Sequence, residues 1–116
     1  MVTYNHMVVE FKERQKTDAV FHALADSTRR DIVVRSLRSD HSVSELAGFY
    51  PMSFAAVQKH VAILERADLV TKQRRGREQL VRGNVQTIRD AFSLLEVLEE
   101  VWRGRIDRMN EILSED

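Results

Sequence analysis

Apolar residues recur in threes and fours through most of the chain, give way to two short β-prone runs on either side of a polar stretch near residue 75, and return to threes and fours over a long final stretch. From about Lys16, the spacing of Val20, Phe21 and Leu24 predicts a short helix, whereas the first ten or so residues carry no clear period. Asp26-Ser27-Thr28 supplies oxygen side chains to cap a second helix with Ile32, Val33, Ser36 and Leu37 facing inward. A third begins near Ser42, where Glu45 stands three residues beyond the hydroxyl as in a capping box, and Val43, Leu46 and Ala47 point to the core. Gly48 and Pro51 then end it, because proline cannot continue a helix and pushes Tyr50 out of helical angles.

Ser53 is the next N-cap. The helix behind it places Val57, Val61 and Leu64 on one stripe, flanked by Ala56, His60 and Ile63, and ends around Ala67-Asp68. Leu69 to Gln73 and Glu78 to Val81 are β-prone runs on either side of Arg74-Arg75-Gly76-Arg77, a hairpin signal because Gly76 can take the positive φ of a tight loop. A long helix follows from about Val85 to Leu113. Ile88, Ala91, Leu95, Leu98, Trp102, Met109 and Ile112 form its main stripe, and Phe92, Leu94, Val97 and Val101 widen it to two faces. One face is expected to cover the domain and the other to need a partner.

A chain of 116 residues suits one domain, and its 43% hydrophobic and 31% charged residues fit a globular protein. The start has no apolar core behind a basic end, so no secretory signal is read and a cytoplasmic location is expected. Without cysteine there is no disulfide, thiolate nucleophile or thiolate metal site. The net charge of zero hides an asymmetry. Residues 53–82 carry seven Lys/Arg against three Asp/Glu, and residues 83–116 carry four against eight, so an anionic partner would dock on the middle of the chain.

Two short helices, a tight turn and a basic hairpin make a winged helix-turn-helix. This predicts a mainly α fold with a small β-hairpin in one domain over 1–116: helix-turn-helix about 43–67, wing about 69–82, last helix about 85–113. The front of helix 53–67 then faces the major groove of double-stranded DNA. Gln58 can pair with adenine, Phe54 or Ala55 can touch a thymine methyl, and Lys59 can meet a phosphate or guanine. Ser53 opens a helix N-terminus suited to phosphate, and Arg74, Arg75 and Arg77 reach the minor groove or its phosphates. His60 packs or touches a phosphate. The bland alternatives are Phe54 in the core and the arginines as a solvated turn, while Trp102 is read as packing in the helix or dimer contact, with a ligand pocket beside it as the sharper alternative.

Leu24 to Arg30 (LADSTRR), Ser44 to Ala47, Met52-Ser53 with Ala56 to Val61, Leu64 to Val70 and Arg75-Gly76-Arg77 together resemble the successive motifs of the ArsR (arsenical-repressor-like) family. The resemblance runs from about Leu24 to Val81. It implies a homodimeric repressor on a palindromic operator, with the first and last helices, and Leu95, Leu98, Trp102 and Met109 in particular, at the dimer contact. Metal-sensing members place cysteines where this chain has Ser42-Val43-Ser44, or Asp and His on the last helix, where no histidine follows His60. The resemblance is therefore to a branch without metal sites. No metal, cofactor or membrane partner is expected, and no effector or role for residues 1–15 is legible. An enzyme is disfavoured by the lack of a phosphate loop or a nucleophile beside a base. The rival reading is a winged-helix protein-interaction module without DNA binding.

Overall fold

Two arginines and one aspartate make the first corner. A computed structural model describes the backbone of residues 4–114 and the side chains of residues 12–114. Helix α1 spans Tyr4–Leu24 and α2 spans Ser27–Arg38. Asp26 is the N-cap of α2, its carboxylate accepting from the Arg29 backbone N–H at 2.9 Å. Arg29 turns back to α1, where Nε donates to the Ala23 carbonyl at 2.7 Å and Nη2 to that of His22 at 3.1 Å. Arg30 Nη1 reaches the Leu24 carbonyl at 2.7 Å. Guanidinium groups thus bond the last carbonyls of α1, that of His22 shared with the Ala25 backbone N–H, where positive charge also suits the helix dipole. Helix α1 begins well before Lys16, where the periodicity placed its start; most of its residues before that point are polar, so no stripe announces it.

Strand β1 (His41–Ser42) leads into α3 (Val43–Ala47), whose capping box is complete. Ser42 Oγ accepts from the Glu45 N–H, and the Glu45 carboxylate accepts from the Ser42 N–H, both at 3.0 Å. Helix α4 (Phe54–Arg66) follows, with Ser53 Oγ accepting from the Ala56 N–H at 3.1 Å. It ends in a Schellman arrangement: the Leu69 N–H bonds the Leu64 carbonyl and the Asp68 N–H that of Glu65, with Asp68 at φ 59°.

Strands β2 (Val70–Arg75) and β3 (Glu78–Gly83) form the wing, paired from Val70 opposite Gly83 to Arg75 opposite Glu78. Arg74 and Arg75, expected in the loop, belong to β2, so the turn is only Gly76-Arg77. Gly76 carries the positive φ, 64°, and Arg77 does not, the glycine-first pattern of a two-residue hairpin. Strand β1 also pairs antiparallel with β3, giving a sheet ordered β1-β3-β2. That third strand is too short for any alternation to reveal it.

The core joins Val20 and Ala23 of α1, Ile32 and Val33 of α2, Leu46 of α3, Val57, Val61 and Leu64 of α4, and Leu69, Val70 and Val81 around the sheet. Each fully buried aliphatic side chain contributes on the order of 1.5–3 kcal/mol. Leu37, expected inward, is 43% exposed, because it lies across Gly83 at the edge of α2 rather than beneath it. Helix α5 (Val85–Ser114) corrects a larger expectation. Only Ile88 and Ala91, in its first two turns, pack against the core, and every residue of the helix is at least partly exposed. Among the described residues no helix is long and apolar enough to cross a membrane.

Candidate nucleic-acid interface

The turn between α3 and α4 is fixed from behind. Tyr50 Oη donates to Asp31 Oδ2 at 2.6 Å, Arg35 Nε donates to the same oxygen at 2.8 Å, and the Arg35 guanidinium lies 3.8 Å from the centre of the Phe49 ring. Burial, then the Asp31 carboxylate, pushes the Tyr50 phenol up to about 12. The hydrogen bonds from Tyr50 and then Arg35 hold Asp31 below the usual carboxylate range. The contact among these residues was illegible in the sequence, because no local spacing links Asp31 to Tyr50 nineteen positions on.

Set by that clamp, α4 has two unlike faces. Val57, Val61 and Leu64 are fully buried. Ser53, Ala55, Gln58 and Lys59 are exposed, and Phe54, which the sequence left open between core and surface, is 46% exposed. Residues 54, 55, 58 and 59 fall on one face of a helix with 3.6 residues per turn, so the structure brings these four together. His60 is not with them. It is half-buried, its Nδ1 3.4 Å from Arg29 Nη1 and 3.9 Å from Asp26 Oδ2, which ties α4 to the α1–α2 corner. Asp26 is held below its ordinary value first by the Arg29 backbone N–H and, more weakly, by the Arg29 and His60 side chains.

The wing stands beside this helix. Lys72 Nζ of β2 meets Glu65 Oε1 of α4 at 3.6 Å. At the other edge Arg82 of β3 pairs bidentately with Asp40, at 2.9 and 2.8 Å, anchoring the sheet to the end of α2. These anchors hold the stem and leave Arg74, Arg75 and Arg77 exposed at the tip, with Arg74 Nε donating to the Gly76 carbonyl at 3.3 Å. The arrangement is an exposed polar and aromatic helix face flanked by a basic hairpin. Such a surface suits a polyanion with a groove.

Among the described residues there is no group of three or more His, Cys, Asp or Glu side chains that could hold a metal ion. A cavity of about 440 Å³ opens between α1, α5 and the turn after α4, lined by Lys16, Val20, Phe21, Asp90 and Leu94 among others. Trp102 takes no part in it. Trp102 is 55% exposed farther along α5, where Leu95, Leu98 and Met109 are exposed too.

No family profile matches the chain. It is 36% identical over 80 residues to the uncharacterized HTH-type transcriptional regulator YuzN of Bacillus subtilis, an alignment covering 63% of this chain and 87% of that protein. The fold superposes on an ArsR-like transcriptional regulator from Rhodococcus sp. RHA1 with TM-score 0.76 and 31% identity, over 87% of this chain and 95% of that one. It also superposes on the homodimeric winged helix-turn-helix DNA-binding domain of a possible ArsR-family regulator from Mycobacterium bovis. There the TM-score is 0.64 and the identity 22%, over 78% of this chain and 84% of the other.

Proposed function

The chain belongs to the ArsR family of winged helix-turn-helix transcriptional regulators, and from that premise we propose that it is a cytoplasmic homodimer that binds a palindromic operator and represses transcription by occupying it. The observation that carries the reading is the two-faced α4, buried along Val57, Val61 and Leu64 and exposed at Phe54, Ala55, Gln58 and Lys59 beside a basic wing.

In this reading α4 enters the major groove. Gln58 presents an amide that pairs bidentately with adenine, Phe54 and Ala55 meet thymine methyls, and Lys59 meets a phosphate or guanine. Ser53 starts the helix whose N-terminal amides face the backbone. Arg74, Arg75 and Arg77 carry the wing onto neighbouring phosphates or the minor groove. His60 acts from the rear, holding the helix against α2. One such domain reads one half-site, so the dimer, joined through α1 and the exposed stripe of α5, supplies two.

Footprinting purified protein on the DNA upstream of its own gene tests this. The expected result is protection of two half-sites separated by one helical turn or a multiple of it, with binding that weakens steeply as salt rises. Binding that is absent at low salt on operator and random DNA alike would instead favour the interaction-module reading.

A further inference from the structure

Helices α1 and α5 enclose, beside the end of α4, a cavity of about 440 Å³, a volume suited to a small organic molecule. Its floor is apolar. Val20 and Ala67 are buried there, Phe21 and Ala91 are half-buried, and Leu94 lines the α5 side. Its mouth is acidic. Glu13 of α1, Asp68 of the turn after α4 and Asp90 of α5 are exposed around it, with Lys16 as the one basic side chain in the lining. Among the described residues none of these three carboxylates forms an ion pair. Leu95, Leu98, Trp102 and Met109 line no part of the cavity, which lies within one protomer and apart from the stripe assigned to the dimer contact.

The polar lining has few protons to donate. Thr17 Oγ1 gives its hydrogen to the Glu13 carbonyl at 3.0 Å, and Thr87 Oγ1 gives its own to the Asp68 carbonyl at 2.6 Å. A hydroxyl that has donated once can only accept. Asp90 Oδ1 accepts from Gln86 Nε2 at 3.0 Å, leaving Oδ2 to accept from a ligand. Apart from Lys16, the side chains around the mouth therefore offer acceptors, and most of them carry negative charge. A ligand carboxylate would meet three like charges against one ammonium, and a neutral hydroxyl would forgo charge assistance. A cationic donor matches both the protons and the charge.

We infer that this cavity binds an amphipathic organic ammonium compound, its protonated amine among Glu13, Asp68 and Asp90 and its aromatic or aliphatic body on the apolar floor, and that α4 responds to its occupancy. Asp68 makes the link. It is the left-handed residue that ends α4, at φ 59°, with its own N–H on the Glu65 carbonyl and the N–H of Leu69 on that of Leu64. A cation drawn to its carboxylate pulls on the cap of the reading helix and on the first residues of the wing together. Thr87 ties the same residue to α5, so a shift of α5 against α1 reaches it too. Binding stands on the cavity alone, and only its effect on operator affinity rests on the proposed function.

Tryptamine, tryptophol and indole-3-acetate carry a cation, a neutral hydroxyl and an anion on the same indole body. Each is titrated calorimetrically into the intact protein without DNA, and into Asp68→Asn and Asp90→Asn. Both variants keep the side-chain shape, asparagine accepts the left-handed position, and its amide oxygen can still take the bond from Gln86. The expected result is saturable binding of tryptamine, about tenfold weaker binding of tryptophol and no binding of indole-3-acetate. Tryptamine affinity should fall about fivefold in each variant, the scale of an exposed charge pair. Indole-3-acetate binding as well as tryptamine, tryptamine affinity unchanged in both variants, or no saturable binding of tryptamine up to about 10 mM would each overturn the site. Operator titration is then repeated in saturating tryptamine, where a loss of about 5- to 150-fold is expected. Unchanged or tighter operator binding would overturn the coupling to α4. A protein that binds tryptamine but no DNA would instead overturn the proposed function.

Discussion

Tyr50 donates its phenolic proton to Asp31 at 2.6 Å, and that bond clamps the turn leading into α4. Asp31 is itself held by Arg35, so losing the phenol weakens the clamp without leaving the carboxylate bare. Tyr50→Phe is expected to cost about 1.5–3 kcal/mol of stability, the range for hydrogen bonds to charged groups. Because the folded phenol is raised to about 12 from an ordinary 10, its contribution is complete below about pH 10 and lost as pH rises toward 12. The difference in unfolding free energy between wild type and Tyr50→Phe should therefore shrink across that interval. Denaturant titrations at pH 8, 10 and 11.5 measure it; a constant difference would place the bond outside the energetics of the fold.

Gly83 closes β3 against α2 at a distance that admits no side chain. A Cβ there would stand 2.7 Å from Leu37 Cδ2 and Cγ and 2.9 Å from its backbone nitrogen. Leu37 is partly exposed and can swing outward, but the backbone contact cannot relax without moving the strand. Gly83→Ala is expected to destabilise by about 1–3 kcal/mol, as overpacked sites do. Thermal unfolding of Gly83→Ala and of the pair Gly83→Ala with Leu37→Ala separates the two causes. Partial rescue in the double variant is the expected outcome, with full rescue assigning the whole cost to the leucine side chain.

Local sequence carried the helices that have both a cap and a stripe. Ser42 with Glu45, Ser53 with Val57, Val61 and Leu64, and Gly76 in the hairpin each pair a start or stop signal with a period, and each stands where its residues indicated. Features made by distant residues were illegible. The Asp31–Tyr50 bond, the arginines that close α1, and the pairing of His41 and Ser42 with β3 depend on chain positions brought together only by folding. His60 shows the limit at the interface. Its position on α4 was clear, but whether it faced a groove or the Asp26 corner depended on a neighbour thirty-four residues away. The two-sided stripe of α5 was legible as well. How little of it the domain covers was not, because periodicity gives a face and says nothing of what lies against it.

Arg75 and Arg77 project from the tip of a wing whose stem is anchored by Lys72 and Arg82. Removing a tip charge leaves those anchors intact, so the fold is expected to be undisturbed while a phosphate contact is lost. Arg75→Ala or Arg77→Ala should weaken binding to operator and random DNA alike and flatten the log-log salt dependence by about 0.9 for each phosphate contact removed. Gln58→Ala should behave differently, losing roughly 1–3 kcal/mol of discrimination at one operator position per half-site. Titrations over a range of salt separate the two. An unchanged slope in both arginine variants would take the wing out of the interface.

Leu98 and Trp102 are 58% and 55% exposed, and neither belongs to the core that holds the domain together. Charging both, as Leu98→Glu with Trp102→Glu, leaves Ile88 and Ala91 in place against that core. The domain and its reading helix should therefore fold as before. The stripe, however, would carry four added carboxylates in the dimer against one Arg105 per copy, so at least two of them would be buried without a partner. The expected product is a folded monomer. Each monomer still presents one α4 and one wing, so weak, salt-sensitive binding to a single half-site should persist. What disappears is the second contact made at high effective concentration, which lowers operator affinity by about 100- to 10,000-fold. Circular dichroism, sedimentation and operator titration on the same sample distinguish the causes. A folded monomer with wild-type operator affinity would sink the dimer mechanism, and an unfolded chain would show that α5 supports its own domain more than its exposure indicates.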